Sequence, residues 1–154
     1  MNELDEAWLQ ILDQAITSAS HSGRADVVDY LKLKSRNDAL RMASCQKLLQ
    51  SFIRLSDDAF NIGIRVDIDT QTPHRFAVGN ATMVGALLKF SRGVRCLTVE
   101  AGWTRTPKDG FMRNNALAFG RISHFGMSKQ NAELLLLNSA DGAPAWFYDG
   151  SAIS

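Results

Sequence analysis

The most chemically loaded stretch of the chain is Trp103-Thr104-Arg105-Thr106-Pro107-Lys108-Asp109-Gly110-Phe111-Met112-Arg113-Asn114-Asn115. Arg105, Lys108 and Arg113 could converge on a phosphate or a carboxylate, because a guanidinium fork matches both groups bidentately. Trp103 and Phe111 offer flat faces to a planar ligand, and Arg121 adds a further cation from the next predicted strand. Trp103, Arg105, Lys108, Arg113, Arg121 and His124 form the expected ligand-binding set, for an anionic small molecule or an acidic protein. The function this predicts is that of a noncatalytic binding or interaction module working through the 104–115 loop. A plainer explanation competes with it. Pro107-Lys108-Asp109-Gly110 suits a β-turn in which proline presets φ and the charges keep the loop in water.

A second chemistry rests on His124. An imidazole beside Glu100 of a neighbouring strand could act as a general base if the register joins them. The alternative function is therefore a small hydrolase-like enzyme with a pocket lined by His124, Glu100 and Arg121. Against it, Ser123 projects from the opposite strand face to His124, which weakens a Ser-His pair. Asp67 and Asp69 lie two apart on a predicted strand and share a face, and His74 follows the turn beyond them. Oxygen-ligated cations normally recruit more ligands than this, and aspartates on an edge strand also discourage unwanted pairing, so no metal is expected. Cys45 and Cys96 lack the neighbours of a zinc site.

The chain contains no Gly-x-x-x-x-Gly-Lys-Ser/Thr loop, no Gly-x-Ser-x-Gly elbow and no His-Glu-x-x-His helix. No cofactor is expected. Formal net charge is +1, with −2 in residues 1–59 and +3 in residues 60–154. That balance, with most aromatics on predicted core faces, makes nucleic acid an unlikely partner.

The elements that must position these residues follow from periodicity. Leu4, Trp8, Ile11, Leu12, Ala15, Ile16 and Ala19 form one stripe of a helix, with Asn2 as its cap and Ser22-Gly23 as its stop. A second helix is predicted over about residues 37–58, capped by Asn37, with Leu40, Ala43, Leu48, Phe52 and Leu55 inward. Residues 24–33 fit either a helix or an extended segment, with helix preferred. Alternation from Ile62 to Ile68 predicts a strand starting near Asn61 and paired as a hairpin with His74–Val78. Strands follow at 84–90, 94–103, 116–125, 133–138 and 145–148, the last two joined by Asp141-Gly142.

Helices first and strands afterwards predict an α+β fold, with N-terminal helices packed on one face of a mainly antiparallel sheet of six or seven strands. The length, 154 residues, suits a single domain with a helical part (1–59) and a sheet part (60–154). The acidic start is unlike a secretory signal, no apolar run is long enough to cross a bilayer, and two cysteines make no disulfide framework. The expectation is a soluble cytoplasmic protein with no membrane partner and both thiols reduced and buried. An open sheet face or edge would suit a homodimer.

Overall fold

The computed structural model describes residues 3–21, 23–148 and 151–152. It has an α+β fold, with two helices preceding one antiparallel sheet. The chain divides into two compact units, Met1–Ala43 and Ser44–Ser154.

In the first unit α1 spans Glu3–His21, with Glu3, Asp5 and Glu6 in its first turn, where they oppose the helix dipole favourably. The predicted cap, Asn2, and Ser22 of the predicted stop lie outside the described residues. The helix closes with Arg24 N donating to Ala19 O at 3.0 Å and Gly23 N to Ser20 O at 3.2 Å, a paired C-terminal cap. Leu12 and Ala19 are buried, whereas Leu4 and Ile11 of the predicted stripe are exposed.

The next helix, α2, runs unbroken through Ala25–Asn61. Asn37 is therefore interior to it and caps nothing, and the 24–33 segment is helical from Ala25 onward. The physical reason is continuity: no glycine or proline occurs between Arg24 and Ile62, so nothing interrupts the backbone ladder. Within the first unit α2 binds α1 through Asp38, which is only 1% exposed. Its carboxylate accepts from Trp8 Nε1 and from Arg41 Nη1, each at 2.6 Å. Lys34 Nζ lies 5.3 Å from the Trp8 ring centroid.

The strand predicted from Asn61 starts later. Gly63 has φ +88°, Ile64 N donates to Ala59 O at 2.8 Å, and Gly63 N to Phe60 O at 3.0 Å. The first half of the Ile62–Ile68 alternation is thus the C-terminal cap of α2, set by a left-handed position that favours glycine. The sheet comprises β1 (Asp67–Val78), β2 (Ala81–Arg92), β3 (Arg95–Trp103), β4 (Ala118–His124), β5 (Ala132–Asn138), β6 (Pro144–Tyr148) and β7 (Ser151–Ala152), in that spatial order. The hairpin expected inside 61–78 is instead the single strand β1. Pro73 follows a cis peptide bond where the register shifts between Gln71 and His74. An edge strand tolerates the missing N–H.

In the second unit both faces of the sheet carry core. On one, Leu49, Phe52 and Ile53 of α2 pack against Leu88, Phe90 and Val99, and Trp146 Nε1 donates to Ser44 O at 3.1 Å. The inward positions of α2 here are Cys45, Leu48, Leu49, Phe52 and Ile53, while the predicted Leu55 is exposed. On the other face Phe76, Val78, Ala81, Met83 and Phe119 cluster with Met112 and Leu135. Each fully buried side chain of this size contributes about 1.5–3 kcal/mol relative to an exposed one. Gly85 and Gly102 face each other across β2 and β3. A Cβ on Gly85 would stand 1.9 Å from Ala101 O, and one on Gly102 2.7 Å from Val84 O, so this crossing admits no side chain.

Candidate functional site

The 104–115 loop leaves β3 at Trp103, whose ring is 3% exposed. The Arg105 guanidinium lies 3.7 Å from the centroid of that ring, and its Nη2 and Nε donate to Val84 O at 3.0 and 3.3 Å. Trp103 and Arg105 thus serve each other and the backbone of β2 rather than offering open surface. Pro107–Asp109 forms one 3₁₀ turn. Asp109 Oδ2 accepts from Arg105 N at 3.0 Å and Thr106 N at 3.1 Å, while Oδ1 lies 3.7 Å from Arg75 Nη1. A carboxylate accepting backbone N–H groups fixes the turn as an N-cap does.

Beyond it, Asn114 and Asn115 adopt φ of 55° and 56°, and Ala116 N donates to Arg113 O at 2.9 Å. Asparagine tolerates that left-handed region better than most residues. The Arg113 guanidinium occupies the space that a side chain at Gly79 would take, so the loop is seated on the β1–β2 turn. Asp109 is the only acidic residue between 104 and 115, and its side chain is largely buried. Lys108 and Arg113 are exposed, and Phe111 between them is 83% exposed.

Arg121 projects from β4 onto the sheet face opposite α2. It lies across from Glu100, with Arg121 Nη1 4.0 Å from Glu100 Oε1 and Arg121 Nη2 4.0 Å from Glu133 Oε1. Its Nη2 also donates to Ala77 O at 2.8 Å. The histidine that meets Glu100 is His74: Nε2 donates to Oε2 at 2.6 Å, and the ring stacks on Phe76 with centroids 5.7 Å apart. This half-buried His74–Glu100–Arg121 row ties three strands together around one carboxylate. It was not legible in the sequence, because the irregular register between Gln71 and His74 decides which residue faces Glu100.

His124 stands elsewhere. It pairs with Leu97, three positions along β4 from Arg121 and therefore on the opposite face. His124, Glu100 and Arg121 do not line one pocket. His124 instead lines an open groove of about 270 Å³ with Val66, Phe90, Arg92, Arg95, Leu97, Phe125 and Met127, at the far end of β3 and β4 from the 104–115 loop. Of the six residues expected to form one binding set, the structure groups Trp103, Arg105, Lys108 and Arg113 on one segment and places Arg121 and His124 on β4, on opposite faces.

Among the described residues no three His, Cys, Asp or Glu side chains converge as metal ligands. Asp67 and Asp69 lie exposed on β1, opposite Ser91 and Lys89. Neither Cys45, which is buried, nor Cys96, which is half-buried, is in a disulfide. Among the described residues no helix is long and apolar enough to cross a membrane. The chain matches no family model, no curated protein and no solved structure.

Proposed function

We propose that the chain is a noncatalytic binding module whose 104–115 loop contacts an anionic small molecule or an acidic protein partner. The observation that carries this reading is how the loop uses its charges. Its only carboxylate, Asp109, is held by the loop's own N–H groups, while Lys108 and Arg113 stay exposed on either side of Phe111. A loop fixed by internal hydrogen bonds loses little conformational entropy on binding, which favours affinity over a mobile one. Arg105 acts as a brace through Trp103 and Val84, so the contacting cations are Lys108 and Arg113.

The test is a titration of ¹⁵N-labelled protein with citrate and with poly-glutamate. Salt-sensitive shifts confined to the amides of 104–115 and of the adjoining Gly79 and Asn80 are expected, and Lys108→Gln with Arg113→Gln should abolish them. Shifts spread evenly over the sheet, or unchanged by the double substitution in a folded protein, would show that the loop is not the contact.

A further inference from the structure

We propose that the other end of the sheet, formed by the β2–β3 and β4–β5 turns, docks on an anionic phospholipid surface. This is independent of the loop's partner and uses different residues. Val94, at the tip of the β2–β3 turn, is 91% exposed, and Phe125, at the start of the β4–β5 connection, is 79% exposed. The two turns are joined, because Phe125 N donates to Cys96 O at 3.0 Å. Between them runs the groove, walled by apolar side chains and edged by Arg92 and Arg95. Large apolar side chains at adjoining turn tips, outside any core, are costly in water and mark a contact surface.

The charges choose the occupant. The two segments that line the groove at these turns, 91–96 and 122–132, carry Arg92, Arg95 and Lys129 and no acidic residue. The first carboxylate up β1 is Asp67, on the outer edge opposite Ser91. Long cationic side chains around exposed apolar tips match a bilayer interface, where the tips enter the acyl boundary and the guanidinium groups stay among phosphates. A two-fold contact with a second copy would set Arg92 and Arg95 against their own equivalents. Nucleic acid would use the cations and leave Val94 and Met127 in water. Surface docking of this kind needs no spanning helix.

Flotation of the full chain with phosphatidylcholine vesicles, with and without phosphatidylserine, tests the assignment. Partitioning onto the phosphatidylserine vesicles alone, weakened by salt, is expected. Arg92→Gln with Arg95→Gln should lower it about 25-fold, at about fivefold per arginine. Phe125→Ser should lower it about tenfold or more, in keeping with loss of a buried aromatic, and Phe125→Trp should bind with a blue-shifted emission. Lys108→Gln with Arg113→Gln should leave partitioning unchanged, which separates this surface from the loop. Unchanged thermal melting shows that the variants are folded. Failure to float with phosphatidylserine, equal flotation with phosphatidylcholine alone, or undiminished flotation of the arginine and Phe125 variants would each overturn the assignment. So would binding of poly-glutamate at this end in place of vesicles.

Discussion

The two ends of the sheet solve opposite problems with similar residues. At the 104–115 end one arginine is spent on structure, Arg105 bracing Trp103 and Val84, while Arg113 rests against Gly79 and stays exposed. At the Val94–Phe125 end, Arg92 and Arg95 stand exposed beside apolar tips. A cation's role is therefore set by whether a ring face, a carbonyl or a glycine lies within its reach. Residue type and spacing alone do not decide it.

That contrast can be broken most forcefully at its root. Gly85→Val or Gly102→Val puts a side chain where the neighbouring backbone already stands, and the expected loss is more than about 4 kcal/mol in denaturant unfolding. A tolerated substitution would mean that the braced end is loosely built. Asp109→Ala comes next, leaving the N–H groups of Arg105 and Thr106 without their acceptor. A loss of about 1–3 kcal/mol is expected, with faster hydrogen exchange confined to 104–110. At the opposite end Val94→Ser and Phe125→Ser should stay within about 0.5 kcal/mol of the parent in thermal melting, since neither position supports the core.

The smallest effect belongs to the β5–β6 turn. There the Ser139 hydroxyl, and then the Ala143 N–H, hold the Asp141 carboxyl below the usual carboxylate range. A depressed carboxyl favours the fold once pH exceeds its unfolded value and loses that contribution as pH falls through its folded one. Ser139→Ala should raise the Asp141 titration midpoint seen by carboxyl ¹³C NMR, with little change in melting at neutral pH. An unmoved midpoint would show that the hydroxyl does not set it.

Much of this architecture was legible, and the reasons are local. Strands β2 to β6 announce themselves by alternation and by turn residues such as Asp141-Gly142, and α1 by its apolar stripe. Sequence and structure part where one local signal has two meanings. Ile62 and Ile64 alternate like a strand but flank Gly63, a helix stop. Asn37 resembles a cap yet sits in a helix that nothing interrupts. Thr72-Pro73 resembles a hairpin turn but is an irregularity within an edge strand. The site was less legible than the fold. The 104–115 loop stood out by composition, whereas the meeting of His74 with Glu100 depends on register across strands. The burial of Asp38 depends on an indole from another helix.

The order of the sheet has a consequence for how the chain acquires its structure. Every strand lies beside its immediate neighbours in sequence, so no pairing waits for a distant segment to be made. A meander of this kind has low contact order for a β structure and should close hairpin by hairpin at rates above those of interleaved sheets. Its growing edge stays exposed until the next strand arrives. During synthesis the braced loop and the apolar tips would appear alternately, each finished before the strand after it is added.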